Sequence, residues 1–486
     1  MNNITIKIGS ALFFLFVALA ACNETPEKPN KETPPPKLTL TANGFAPVPM
    51  PATLSTGEPF PTDSTTVNGW VLKSEVDGNN LETNESIIQH GWGLWQALTE
   101  ITSEMHDNQP LRRFETWYTP EDIINAYNLK NKNSDAQLIH VKRNRGKLTH
   151  FNQFTHGSNK MDPSDASVLG FVKYDPAAAE HLYEKKLFYK SVLESYKKEG
   201  ELAAIPEFPL GGIALKPVFS TLDTINPATG NYVLQVWPGE GGNNERSWGP
   251  SDWGNTVEVT IDGQTDVANR IYSINDFIHF RIDSTQAAEI KNNPQLPGEN
   301  PQKGNYAILV GMHVTSKENV RWTWQTFWWS ENADQPQTPS SPLIAGLRTN
   351  AGLDAAANHY AMAVAYNMVQ KAQPDTGGSN QDVTSVYAYN PYLEAGFSSS
   401  QFTHGNQVIS DTYGPDYAKI QGNLNNWGMQ TNCMSCHIQA TVQGGAGYVA
   451  DQYVDMQAPY FKSTVTLDFA WSIEGNMIDD QGNPIQ

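Results

Sequence analysis

Cysteine is almost missing from this chain, with three in 486 residues. That excludes a disulfide-stapled miniprotein and leaves too few thiols for a four-cysteine zinc site. Positive charge is also short: Lys plus Arg number 32 against 51 Asp plus Glu, a formal net charge of −19. Phosphate backbones would repel such a surface, which excludes nucleic acid as a partner. After the first 25 residues no apolar run reaches membrane-spanning length, so a multi-span helical membrane protein is excluded. There is no G-x-S-x-G elbow, no H-E-x-x-H pair, no P-loop and no dinucleotide fingerprint between a strand and a helix. No internal repeat points to a propeller or solenoid. Core material, by contrast, is plentiful. Hydrophobic residues make up 39% and aromatics 10%, and the length suggests two or three domains.

The start of the chain reads as an export signal. Lys7 precedes an apolar stretch, Ile8–Ala21, of signal-peptide rather than membrane-span length. It runs into Leu19-Ala20-Ala21-Cys22, which resembles the lipobox of bacterial lipoproteins. The resemblance implies removal of residues 1–21, lipid on Cys22, and a protein held at a bacterial membrane by its N-terminal acyl chains, facing periplasm or cell surface. The alternative is an ordinary secretory signal with an incidental Cys22. Residues 22–45, with Pro26, Pro29 and Pro34–Pro36, offer no apolar face and predict an extended tether.

Periodicity places the main elements. Ser86–Thr102 has apolar spacings of three and four and predicts a helix, as does Ala177–Glu199 with Gly200 as its stop. Phe208–Ser220, Tyr232–Val236 and Val257–Ile261 predict short strands. Asn305–Trp329 holds two period-two runs, Tyr306–Val314 and Trp322–Trp328, around the polar turn Thr315–Asn319, which predicts a hairpin. Its tryptophans suit core packing better than a sugar-stacking platform. Ser330–Leu343 predicts a linker or surface loop. Leu353–Ala372, rich in Ala, Leu and Met and followed by Pro374, predicts a helix.

Cys433-Met434-Ser435-Cys436-His437 is a C-x-x-C-H motif. Two thiols at this spacing suit thioether bonds to the two vinyls of one haem, with the adjacent His as proximal iron ligand. The implied cofactor is one covalent haem c. A thioredoxin-like pair fits less well, because no Val/Ile-rich strand leads into it and a His follows directly. For the sixth ligand, Met456 is the first candidate and His313 the second, ahead of an open site; Met477 and His359 are further possibilities. The remaining histidines, among them His90, His106, His140, His150, His156 and His404, show no paired spacing, so no second metal is assigned.

Five segments, Phe208–Phe219, Ile308–Val314, Trp322–Phe327, Asn432–Ala440 and Leu467–Ile473, together resemble a family of bacterial exported single-haem c-type proteins with a large non-haem region ahead of the motif. The resemblance implies haem c and electron transfer with a redox protein partner. In that family Glu-His usually follows the Thr-Phe pair, whereas Trp328-Trp329 stand here. The chain beyond His437 is short for a small class I cytochrome, so the haem pocket is expected to borrow walls from Leu353–Ala372 and the 305–329 hairpin. The expected class is α+β: a mixed region with an antiparallel sheet over 46–345, then a mostly helical cytochrome c-like haem segment over 346–486. The expected function is single-electron transfer. The alternatives are a haem enzyme or a gas or peroxide sensor with an open sixth position served by His313 or Arg321, and an aromatic-rich binding module with accessory haem.

Overall fold

A computed structural model of the chain describes residues 44–76, 84–132, 136–143, 145–150, 169–241, 248–292, 301–397, 428–442, 450–458 and 461–485. The expected signal, Cys22, all but the end of the tether, His156 and His404 lie outside them. The 305–329 hairpin is the middle of the molecule. Tyr306–Ser316 pairs antiparallel with Thr323–Trp329, from Gly311 opposite Trp328 to Ser316 opposite Thr323. Ile213–Thr221 pairs along its other side. Tyr360–Val364 extends the sheet beyond Thr323–Trp329, Leu169–Gly170 and Lys173–Tyr174 extend it beyond Ile213–Thr221, Thr149–His150 lies outside Leu169–Gly170, and His279–Arg281 pairs with the start of Tyr306–Ser316. The result is an eight-stranded, wholly antiparallel sheet. With its helices this is an α+β fold, as expected. A smaller sheet holds Tyr232–Gln235, Thr256–Thr260 and Ile271–Ser273.

Period-two alternation gives the large sheet two different faces. Met312, Val314, Phe327, Met362 and Val364 share one. The helix Glu85–Thr99 packs there, started by the Asn84 side chain accepting from Ile87 N–H. Trp95 stacks on Phe327 with ring centroids 4.3 Å apart, meets Tyr360 at 4.9 Å, and donates Nε1–H to the Ala357 carbonyl at 3.0 Å. Trp95→Ala should therefore cost about 3–5 kcal/mol, the usual loss for a large buried aromatic. The check is a fall in the urea midpoint with an unchanged slope, and a fall below 1 kcal/mol would mean that Trp95 does not anchor this layer. The other face shows Ala214, Lys216, Gly311, His313, Thr315, Trp324, Thr326, Ala361 and Ala363. Gly311 is required there, because a Cβ would lie 2.7 Å from the Asn390 amide that donates to Thr326 Oγ1 and the Phe327 carbonyl at 2.8 Å.

Three expectations need correction. Leu353–Ala372 is not a helix. It holds a short 3-10 turn, Ala357–His359, then the strands Tyr360–Val364 and Val369–Gln370. Tyr360, Met362, Val364, Tyr366 and Met368 alternate with Ala361, Ala363, Ala365 and Asn367, and pairing with the tryptophan strand overrides alanine's helix preference. The helix predicted over 177–199 is two, Pro176–Lys185 and Lys190–Ser195. Lys186 takes a left-handed conformation (φ 55°) that turns Leu187 and Phe188 into the core. The mostly helical haem segment is not what the described residues form: α-helix beyond residue 350 is limited among them to Cys433–His437 and Trp471–Glu474. Because Tyr360–Val364 belongs to the large sheet, that sheet crosses the boundary expected at 345/346, and residues 40–486 make one unit. No described helix is long and apolar enough to cross a membrane.

The hairpin's polar turn is present but buried. Lys317, Glu318, Asn319 and Arg321 are all nine-tenths or more out of solvent. Buried charges need partners, and each has one: Lys317 Nζ lies 2.7 Å from Asp468, Glu318 lies 3.1 Å from His90, and Arg321 lies 2.9 Å from Asp375. All four hairpin tryptophans are buried too, so they are core and present no platform to a sugar.

Candidate functional site

Cys433–His437 is one helical turn, started by Asn432. That side chain accepts from Ser435 N–H at 3.0 Å and donates to the carbonyls of Asn367 and Val386 at 3.0 and 2.9 Å. At 3.6 residues per turn, Cys433, Cys436 and His437 share one side of the helix while Ser435 lies roughly 160° from His437. Burial agrees: Ser435 is fully buried, whereas the two cysteines and His437 are half-buried. Desolvation nevertheless dominates the protonation of all three.

Both cysteines are free. Burial pushes the Cys436 thiol up to about 12 and the Cys433 thiol well above its usual value, with the Glu394 carboxylate adding to each. They are neutral thiols at pH 7, the reverse of the lowered thiolate that a thioredoxin-like pair needs. His437 Nδ1–H donates to the Phe469 carbonyl at 2.8 Å, which leaves Nε2 with the lone pair. Burial drives the imidazole down to about 4, so the ring is neutral and able to ligate.

The acceptor carbonyl is itself held. Asp468 and Phe469 both have positive φ, 46° and 69°, conformations costing about 1–3 kcal/mol each in non-glycine residues. Asp468 fixes the turn by accepting from Phe208 N–H at 2.9 Å, Lys317 Nζ at 2.7 Å and Trp322 Nε1 at 3.2 Å. Trp324 closes the other side of His437, ring centroids 4.5 Å apart, and Trp471 Nε1 donates to the Cys436 carbonyl at 3.2 Å. Phe208, Trp322, Trp324, Asp468, Phe469 and Trp471 come from the scattered segments singled out in the sequence, and the fold gathers them around the motif.

Of the two sixth-ligand candidates, His313 is brought to the motif. It stands on the sheet face described above, opposite Lys216 and Thr326, and both His313 and Lys216 act electrostatically on His437. Its Nε2 lies 2.8 Å from Glu394 Oε1, while its buried Nδ1 has no hydrogen-bond partner. Burial raises the Glu394 carboxyl, but His313, Asn390 N–H and Lys216 outweigh that and hold it below its usual range. Burial pushes the Lys216 ammonium down to about 8. Met456 sits on the segment 450–458, which docks on the Ser435 side: Ser435 Oγ donates to the Gln452 carbonyl at 2.7 Å and Val454 N–H to Met368 Sδ at 3.4 Å. His359 is occupied elsewhere, 3.6 Å from Asp276 and stacked on Trp329. Arg321 is drawn away by Asp375 and the Gln373 carbonyl.

Glu394 lies in no segment that the sequence singled out, and Lys216 and Phe469 lie in such segments without a role assigned to either. A lysine inside the apolar run Ile213–Phe219 was a signal for Lys216; nothing local marks Glu394. His106, Asp107 and Asp283 also bring three possible ligand atoms within 4.8 Å of one another. Asp283 there already caps the helix Ser284–Lys291 and faces His106 Nε2 at 3.7 Å, which reads as an ion pair. No family model, curated protein or solved structure matches the chain.

Proposed function

We propose that this chain is an exported, lipid-anchored monohaem c-type cytochrome that passes single electrons to a redox protein partner. The observation behind this reading is His437: a neutral imidazole oriented by the Phe469 carbonyl, with Nε2 unengaged, beside two free neutral thiols and within electrostatic reach of His313 on the sheet. The donor set fits haem c. Cys433 and Cys436 would form the thioethers, each sulfur bonding to a vinyl carbon and its hydrogen passing to the neighbouring carbon. His437 would be the proximal ligand, and the unpartnered His313 Nδ1 favours His313 over Met456 as the distal one. Bound haem supplies a one-electron couple. The chain's contribution is to hold both imidazoles, exclude water with Trp324 and Phe469, and set the field with Glu394 and Lys216. Cys22 and residues 1–21 give the reading its address outside the cytoplasm, where such attachment takes place.

Intact-mass analysis after co-expression with haem-maturation machinery should show one added porphyrin on the wild type. Cys433→Ala should leave a single thioether, and the Cys433→Ala/Cys436→Ala pair should lose covalent porphyrin altogether. A wild-type mass equal to the bare polypeptide overturns the proposal.

The His313–Glu394 pair supports a second reading. If His313 does not ligate, a buried imidazole bonded to a carboxylate beside an open iron position is an acid–base pair for bound peroxide. Carbon monoxide separates the two: a six-coordinate carrier ignores it and an open haem binds it.

A further inference from the structure

On the opposite face of the sheet from the motif lies a second polar cluster that electron transfer at His437 does not use. Tyr366 continues the face of Tyr360, Met362 and Val364, and its hydroxyl meets His90 Nδ1 in a short hydrogen bond. His90 Nε2 lies 3.1 Å from Glu318 Oε1. Gln325 Nε2 donates to the Tyr366 oxygen at 2.6 Å. His90 and Glu318 are fully buried and Tyr366 nearly so.

The bonding order fixes the direction of the chain. A carboxylate only accepts, so His90 Nε2–H donates to Glu318, and the ring form able to take a proton turns the Nδ1 lone pair to the phenol O–H, which then donates to it. Burial raises Glu318, but His90, whose Nε2–H donates to it, and Thr62 N–H outweigh that and keep the carboxyl below its usual range. Burial, with Glu318 next, pushes the Tyr366 phenol well above its usual value, so it does not ionise by itself. A hydrogen bond that served packing alone needs only a neutral acceptor. An ionised carboxylate in the core costs several kcal/mol to desolvate, and here it stands where a positive charge on His90 would form.

We propose that Tyr366 is a redox-active tyrosine, a second one-electron site whose proton is held by His90 and whose positive charge is matched by Glu318. One electron leaves the phenol for a strong metal-complex oxidant of the ruthenium(III) polypyridyl class, which is reduced to ruthenium(II). The phenolic proton passes to His90 Nδ1, giving a neutral phenoxyl, an imidazolium and an unchanged carboxylate. Gln325 N–H stays on the phenoxyl oxygen. A route towards the motif exists: Ala365 N–H donates to the Trp324 carbonyl at 2.9 Å, and the Trp324 ring lies against His437. The relay itself needs no porphyrin.

Flash oxidation of the full protein with a photogenerated ruthenium(III) polypyridyl complex, read by high-field electron paramagnetic resonance, tests this. Porphyrin content is measured by mass on the same sample, so a failure here and a failure of the haem reading are told apart. The expected result is a persistent tyrosyl signal with the g-shift of a phenoxyl hydrogen-bonded to a cation. Ring-deuterated tyrosine should narrow it in the unaltered sequence. Tyr366→Phe should lose that signal, and His90→Gln, which accepts a hydrogen bond but holds no proton, should shorten its lifetime. An identical signal in Tyr366→Phe, or an unchanged lifetime in His90→Gln, overturns the proposal.

Discussion

His313→Ala should convert the haem-loaded protein from a six-coordinate low-spin form that ignores carbon monoxide into a five-coordinate high-spin form that binds it. The expectation rests on the proposed coordination and on a particular geometry. His313 and Lys216 are cross-strand neighbours on the sheet face that meets the motif, and His313 Nδ1 is buried with no protein partner. Burying a polar nitrogen unpaired costs about 1–3 kcal/mol, so its persistence calls for a partner that the polypeptide does not supply. Deleting the ring also strips Glu394 of its imidazole, leaving Lys216 and Asn390 N–H to hold the carboxylate. His313→Met separates ligation from this electrostatic loss. A thioether in place of an imidazole raises the reduction potential, within the span of about 0.8 V that axial ligands cover, while the iron stays low-spin. If His313→Ala keeps the low-spin spectrum and still refuses carbon monoxide, the distal ligand is another residue and Met456 returns as the first candidate.

The elements that could be read from sequence are those whose partners are near in the chain. The 305–329 hairpin was legible because both strands, their turn and their pairing lie within one stretch. The helix at 85–99 was legible because its apolar spacing survives burial on nearly every side. Tyr360–Met368 shows where local reading fails. Its large-small alternation was visible, but alanine's helix preference outweighed it until the strand Thr323–Trp329 was in place beside it. The small residues are explained by the face they occupy: Ala361 and Ala363 share it with Gly311 and His313, on the side of the motif. The turn at 315–319 was placed correctly, yet its burial was illegible, since the partners of Lys317, Glu318 and Arg321 are Asp468, His90 and Asp375.

The site divides in the same way. Cys433, Cys436 and His437 are a local pattern contained in five residues, and thioether attachment is the meaning proposed for it. What orients them is not local. The Phe469 carbonyl accepts from His437 Nδ1–H on a turn that Asp468 fixes through Phe208, Lys317 and Trp322, positions brought together only by the fold. Leu467–Ile473 and Trp322–Phe327 carry no local sign of what they touch. His313 could be named from sequence but not ranked, because its approach to the motif depends on the register of three strands.

Asn432→Ala should destabilise the protein by about 3–5 kcal/mol while leaving the haem spectrum of the folded form unchanged. Asn432 is fully buried and uses its whole amide. Its oxygen caps the motif helix through Ser435 N–H, and losing an N-cap costs about 0.5–2 kcal/mol. Its nitrogen donates to Asn367 and Val386, and each buried carbonyl left unpaired adds about 1–3 kcal/mol. The penalties overlap, because one cavity serves both carbonyls, so the total falls below their largest sum. Asn432→Asp discriminates between the two halves. It keeps the cap acceptor but removes both donors and sets a carboxylate against two carbonyls, so it should be no better than alanine at neutral pH and should recover as the carboxyl is protonated. Denaturant midpoints read by tryptophan fluorescence measure both variants, with the low-spin spectrum as the control that His437 and its ligation are undisturbed. A loss confined to the capping range in Asn432→Ala, with Asn432→Asp close to wild type, would show that the amide donors to strand and loop do not hold the motif in place.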